Sequence, residues 1–485
     1  MEGSQDEASI IRSVMIQKKD ALGLLKRKLV ELEEDLKRKV MELEEDLIRF
    51  AAAHLPHKHN LLPNEILGRI FVQVAEDYGA VAFPMLKTKN PPQLAISHVC
   101  SHWRMVALHT SKLWSNTSLK YPKDNVFPVV HLHQRWLRRA GILPVTLSIE
   151  FDESIDDSDI FYALEKILSP FHVKRLFLEM SYKQFVVLWN FPEIALSRVM
   201  EVELDLAFRD GEGSMNIQSP HNLVAQLRSV SLSGSEMARC LDKLSPSLPW
   251  SQLRCLEYHV DVEGLQLVVD VLRQIPMLER LMLTTLETAI APKELTMPSL
   301  QEFNLKTGEE MVDGMELDKL LRGFALPCLI TFELYTEAYW TSETPEILKR
   351  QYNLQGLQAV AFVGGFTLPV SSVLYNSPTL RSIELGRDAI LDDEAITGIS
   401  KGTLGQFLKT LEFTTACDHD VEEVLRMAEA RKETIDRLIE NGCTWKEDVT
   451  LLRHITIDGD YDRVKYREKV KDLRARAGIE VLLEE

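Results

Sequence analysis

Leu278-Glu279-Arg280-Leu281-Met282-Leu283 is the stretch on which the reading of this 485-residue chain turns. It is one copy of a phrase: apolar, two others, apolar, one other, apolar. The phrase recurs as Leu227/Val230/Leu232, Leu253/Leu256/Tyr258, Leu300/Phe303/Leu305 and Leu329/Phe332/Leu334. It continues as Leu357/Val360/Phe362, Leu380/Ile383/Leu385, Leu408/Leu411/Phe413 and Leu452/Ile455/Ile457, with Val173/Leu176/Leu178 and Val199/Val202/Leu204 as earlier members. From Leu178 to Phe413 the last apolar position advances in steps of 22 to 29 residues. On a strand, the second and third apolar positions point to the same face, and the first packs under the turn before them. Helical stretches such as Leu265 to Arg273 and Glu316 to Leu321 separate the phrases. Strands joined in this way must be parallel and need a covered face. The expected fold is therefore α/β, with residues between the apolar positions on an open, concave side.

A period of 22–29 residues is that of leucine-rich repeats. The Asn that follows the strand in regular members is mostly missing, so the resemblance implies an irregular solenoid, over 151–417. A mixed α/β domain whose strands merely share a Leu-rich pattern is the competing reading. The spacing breaks after Phe413. Asp418 to Asn441 reads as one longer helix ending at Gly442, Tyr461 to Arg476 as a basic helix, and Ile479 to Leu483 as a last strand. Terminal repeats shield the open end of a stacked core, so 418–485 is assigned as a cap.

A second informative stretch runs from Leu62 to Trp114. Pro63 suits a first helical turn, and Glu65 in that turn favours the helix dipole. Ile66, Leu67, Ile70, Phe71 and Val74 share a stripe; Ile96, Val99, Cys100, Trp103 and Ala107 form another, read as one second helix. Leu62-Pro63-x-Glu65-Ile66 with Ile70-Phe71, then Val99-Cys100-x-x-Trp103-Arg104, then Leu113-Trp114, resembles an F-box over 62–118. The gap from Phe71 to Val99 is longer than in compact members and matches a loop carried by many fungal F-box proteins. A helix ending at Gly141 and a strand over Ile142 to Ile149, which follow in fungal relatives, place a bridge at 119–150. The resemblance implies a small all-α unit that docks a Skp-family adaptor, and through it a cullin ubiquitin ligase, while the solenoid captures a protein substrate. It implies adaptor contacts from Leu62, Pro63, Glu65, Ile66, Leu67, Ile70, Phe71, Val99, Cys100, Trp103, Leu113 and Trp114. Trp103 and Trp114 are read first as core residues that tie the second helix to the start of the solenoid, with adaptor contact as the alternative.

Residues 1–53 are a charged helix with an 11-residue echo, Val30 to Leu36 repeated as Met41 to Leu47. Eleven residues make nearly three whole turns, so the apolar seam stays almost straight. Either residues 20–50 form a dimeric coiled coil or the helix folds back on the body. His54, His57 and His59 belong to a linker, 54–61.

Net charge is −17 without a dense basic patch, so neither nucleic acid nor an anionic membrane is an expected partner. The acidic, polar start lacks signal-peptide character, and the six scattered cysteines, with no CxxC pair, suit a reducing cytoplasmic or nuclear setting. No P-loop, HExxH or GxSxG motif occurs, and Gly364-Gly365 is flanked by apolar residues. No cofactor, metal or catalytic residue is therefore expected, and no RING-type zinc array is present. Passing ubiquitin through a lone cysteine would need a low-pKa setting that nothing in the sequence points to. Glu257, His259, Glu302, Asn304, Glu333, Tyr335, Glu384 and Glu412 should lie on the concave side. They suggest an acidic recognition face for a basic target, or simply solvated acidic surface. The rival functional reading is a ubiquitin-independent scaffold assembled through the N-terminal coiled coil.

Overall fold

The computed structural model describes residues 28, 39, 62–78, 81–83, 91–121, 126–152, 154–189, 196–207, 226–234, 248–260, 265–285, 295–308, 313–364, 369–386, 391–414, 421–440, 449–458 and 463–484. Apart from residues 28 and 39, the helix expected over 1–53 and the linker 54–61 lie outside this set.

The protein is α/β, with thirteen α-helices among the described residues and one parallel sheet of 15 strands. The first eight strands are β1 (Val81–Phe83), β2 (Asn116–Tyr121), β3 (Val145–Phe151), β4 (Val173–Ser181), β5 (Glu201–Ala207), β6 (Ser229–Ser233), β7 (Cys255–Val260) and β8 (Arg280–Thr285). The rest are β9 (Glu302–Thr307), β10 (Thr331–Thr336), β11 (Ala359–Gly364), β12 (Ser382–Leu385), β13 (Thr410–Phe413), β14 (His454–Asp458) and β15 (Glu480–Glu484). Each strand pairs with the next in chain order, and no connection crosses another. In register, Leu281 faces Leu256 and Phe303, and Phe303 faces Phe332. Each repeated phrase thus becomes one rung of a one-dimensional stack.

The rungs hold because their apolar positions are sealed. Leu278, Leu281 and Leu283, like Leu300, Phe303 and Leu305, are essentially inaccessible, and one apolar core runs from Leu67 to Val481. Helices supply the other wall, for instance Ile160, Ala163, Leu164 and Ile167 of Asp157–Leu168, and Leu317, Leu320 and Leu321 of Gly314–Arg322. Residues between the buried strand positions stay half-exposed on the open face. Two strand ends need glycine: Gly234 and Gly364 have φ of 120° and 138°, and a Cβ there would overlap the Leu206 and Thr336 carbonyl oxygens.

Three boundaries differ from the sequence expectation. The expected second helix is two, because Cys100 is extended (φ −158°, ψ 172°) and separates Pro92–Val99 from Ser101–His109. The Cys100 sulfur accepts from Trp103 N at 3.4 Å, which caps the second of these. The unit over 62–118 is not all-α, since β1 lies inside it and β2 begins there, both joined to the sheet. The bridging helix, expected from the sequence over His131 to Gly141, runs instead over Val126–Leu137 and is followed by a 3-10 turn to Ala140 before Gly141 at φ 64°.

At the far end, Val421–Glu440 fills the break in the period. Its Arg431 is fully buried. Nε donates to Thr450 O at 2.9 Å, Nη1 to Ile399 O at 3.0 Å, and Nη2 to Gly405 O at 2.8 Å and Gln406 O at 3.0 Å. One guanidinium therefore ties the inserted helix to the last turn before β13 and the chain leading to β14. Arg463–Asp472 and β15 complete the stack.

Candidate protein-binding surfaces

At the front, α1 (Asn64–Tyr78), α2 (Pro92–Val99) and α3 (Ser101–His109) precede β2, and α4 (Val126–Leu137) follows it. The apolar stripe of α1 is wide enough to split. Leu67, Phe71 and Ala75 turn inward and are buried, with the Phe71 and Trp103 rings 5.0 Å apart. Ile66, Ile70 and Val74, four residues apart, turn outward with Leu62 and are 39 to 46% exposed. Pro63 and Glu65 are exposed beside them. Val99 at 58%, Met105 at 45% and Leu108 at 41% leave more apolar area on α2 and α3. Large exposed side chains at consecutive helical turns are costly to leave wet, which makes α1 a candidate interaction face.

Four expected contact residues are not at the surface. Leu67, Phe71, Leu113 and Trp114 are sealed, because they are what attaches the helices to the sheet. Trp114 Nε1 donates to Ala107 O at 2.8 Å, its ring packs edge-on against Trp136 at 4.7 Å, and Arg139 lies 4.5 Å above it. Cys100 and Trp103 are half-buried, while Val99, beside the helix break, stays exposed. Sequence reasoning passed over Met105 and Leu108, whose spacing on one short helix was the available signal.

The second surface is the open face of the sheet. The eight residues expected there do face it, all half-exposed, on β7, β9, β10, β12 and β13. Glu257, Asn304, Glu333, Glu384 and Glu412 fall in one cross-strand row, with Met282 and Ala361 between them. Their charges are unequal in effect. Arg280 pairs with Glu302, and His259 sits 3.4 Å from Glu257. Asn304 donates to Glu333. Partial burial, with Glu412 and Glu333 nearby, raises the Glu384 carboxyl above its ordinary value. Burial and the same carboxylates push the Tyr335 hydroxyl up to about 12.

A second acidic group was not foreseen. Glu179, Glu203 and Asp205 rim an open cup of about 500 Å³ whose lining includes Phe177 and Arg175. Burial, Glu150 and Asp205 raise the Glu179 carboxyl; burial, Glu257 and Asp205 raise that of Glu203. The signal was present: Glu179, Glu203 and Asp205 alternate with the apolar positions of the two earliest repeats. Among the described residues no His, Cys, Asp and Glu cluster could hold a metal ion, and no helix is long and apolar enough to cross a membrane. The chain matches no family model, and no curated protein matches it.

Proposed function

We propose that this chain is a non-catalytic substrate-receptor subunit of a Skp–cullin–F-box type ubiquitin ligase. On this reading residues 62–118 are the F-box, and the stack behind them is an irregular leucine-rich-repeat solenoid whose open face holds the target protein. The observation that carries the reading is the outward row Leu62, Ile66, Ile70 and Val74, on the helix that also bears the Leu-Pro-x-Glu-Ile motif. The adaptor covers that row, in an interface of the usual size for stable complexes, roughly 1,600 Å² in total. Ubiquitin transfer then depends on holding the target near the ligase's own catalytic subunits.

The test is co-purification with a Skp-family adaptor. Leu62→Ala with Ile66→Asp and Ile70→Asp should abolish it while circular dichroism stays unchanged, since all three side chains are exposed. Adaptor retained by that variant overturns the assignment. If deleting residues 1–53 removes every bound partner and deleting 62–118 removes none, the coiled-coil scaffold is the better account.

A further inference from the structure

Three consecutive strands begin beside a cation. Arg381, Lys409 and Arg453 each follow the first Leu of their phrase. Lys409 N donates to Arg381 O at 2.7 Å, and Arg453 N to Lys409 O at 2.7 Å. The three backbones are thereby held side by side at the rim where β12, β13 and β14 start. Neighbouring strands stand about 4.8 Å apart, so the three side chains leave the rim within roughly 10 Å of one another. Arg381 and Arg453 are exposed and Lys409 is half-buried.

At four other places a cation at a strand start or on the open face is matched by a glutamate from the next strand, whereas Lys174 and Arg228 at strand starts and Lys306 on the open face are single cations without such a partner among the described residues. Lys120 meets Glu150, Arg175 meets Glu201, Arg254 meets Glu279 and Arg280 meets Glu302. Among the described residues, Arg381, Lys409 and Arg453 have no such carboxylate. Like charges directly opposite on paired strands destabilise a sheet, and an anion laid across them relieves this. In a chain of net charge −17, a three-cation ladder is a local exception to the surrounding field. Just before two of these residues, Pro378 and Gly405-Gln406 form part of the wall of an open groove of about 680 Å³, whose lining also carries Asp393, Glu394 and Lys401.

The surroundings select among anions. Three residues further along β12 and β13 stand Glu384 and Glu412, roughly 10 Å away at about 3.3 Å per residue. A long polyanion crossing the rim would run onto these carboxylates. A short acidic stretch followed by basic residues would meet opposite charge at both places.

We propose that Arg381, Lys409 and Arg453 bind an anionic group, carboxylate or phosphate monoester, on a protein segment whose following residues are basic and lie over Glu384 and Glu412. The inference rests on reading the stack as a target-binding surface, but not on adaptor docking by residues 62–118.

The experiment uses the full chain and fluorescence anisotropy at low salt. The probes are a labelled peptide with an acidic half followed by a basic half, the same peptide with phosphoserines in the acidic half, one with the acidic half changed to glutamine, and a labelled DNA duplex. Binding by either anionic peptide, weakened roughly tenfold by the glutamine change, is the expected result. Arg381→Gln with Lys409→Gln and Arg453→Gln should produce the same loss, and Arg254→Gln, which removes a matched cation, should not. Equal binding of the carboxylate and phosphorylated peptides assigns the ladder to carboxylates; binding of the phosphorylated peptide alone assigns it to phosphate. No binding by either anionic peptide, equal binding by the glutamine peptide, or wild-type affinity in the triple variant overturns the proposal. So does a duplex that binds more tightly than both peptides through the same three residues. Adaptor co-purification by the triple variant is read separately and bears only on the earlier assignment.

Discussion

Acid should loosen the front of the molecule through one histidine. His133 lies on the inner side of α4, is fully buried, and pairs through Nε2 with the Thr117 hydroxyl of β2 at 2.9 Å. Burial pushes its pKa down to about 3. Below about pH 6.5 the unfolded chain protonates this ring, while the folded chain stays neutral until about pH 3, so stability falls with acid across that window. At about 1.36 kcal/mol per pH unit, the loss relative to neutral pH reaches about 2 kcal/mol at pH 5. His133→Gln keeps a polar partner for the Thr117 hydroxyl and removes the titration. Its cost at pH 7 should be about 1 kcal/mol, the value of one imperfect neutral hydrogen bond. A long stack need not unfold in one step, so the suitable assay is amide hydrogen exchange over 113–151 at pH 7 and pH 5, with rates corrected for intrinsic pH dependence. The wild type should lose protection on going to pH 5, and the glutamine variant should lose about 2 kcal/mol less. Equal loss in both proteins would refute a neutral, desolvated His133.

Two further perturbations probe charges that the stack handles differently. Arg431 spreads four hydrogen bonds over carbonyls from three segments, with no carboxylate paired to it among the described residues, and burial lowers its pKa to about 10, so it remains charged at neutral pH. Arg431→Met loses those bonds but also the burial of a cation, and we expect a net loss of about 2–4 kcal/mol, seen as protease sensitivity confined to residues beyond about 413. Arg431→Lys should do no better, because a point charge cannot reproduce the planar fork; full rescue by lysine would show that charge rather than geometry holds the cap. Glu384 behaves in the opposite sense. Its raised pKa means that ionisation disfavours the fold, so stability is lost as pH rises above the ordinary carboxylate range. Glu384→Gln should therefore shift the urea midpoint upward at pH 7 and leave it unchanged at pH 4, by a small amount because the group is half-exposed.

Much of this architecture could be read from the chain because a strand repeats its demands locally. Leu278, Leu281 and Leu283 fix one rung by alternation alone, and the same three positions in each later phrase fix the next. The register between rungs follows, since a one-residue slip would turn Phe303 or Phe332 out to solvent. The front of the molecule was less legible. Helical periodicity gave one apolar stripe on α1, but only the surrounding packing decides that Leu67 and Phe71 go inward while Ile66 and Ile70 go outward. The break at Cys100 was invisible for a similar reason: 96–107 keeps helical spacing, and the capping contact of its sulfur with Trp103 N depends on a backbone conformation that spacing does not encode. The ladder of Arg381, Lys409 and Arg453 did have a signal, the same position in three consecutive phrases. Reading each phrase for its apolar members alone hid it.

How the front joins the stack bears on the proposed role. If the helices 64–109 were a bead on a linker, a partner gripping α1 would leave the open face free to swing. Here Trp114, buried under Arg139 and against Trp136, sits at the junction, and β1 and β2 are already rungs of the sheet that carries Glu257 to Glu412. Swinging the helices away would expose Leu113, Trp114, Leu119, Val130 and Leu137 together, all now buried. At roughly 1.5–3 kcal/mol for each large side chain, that costs about 10 kcal/mol, comparable to the whole stability of a small domain. The outward row on α1 and the open face therefore move as one body. A receptor that works by holding its target at a set distance from a ligase needs that stiffness, whereas a scaffold assembled through residues 1–53 would gain nothing from it.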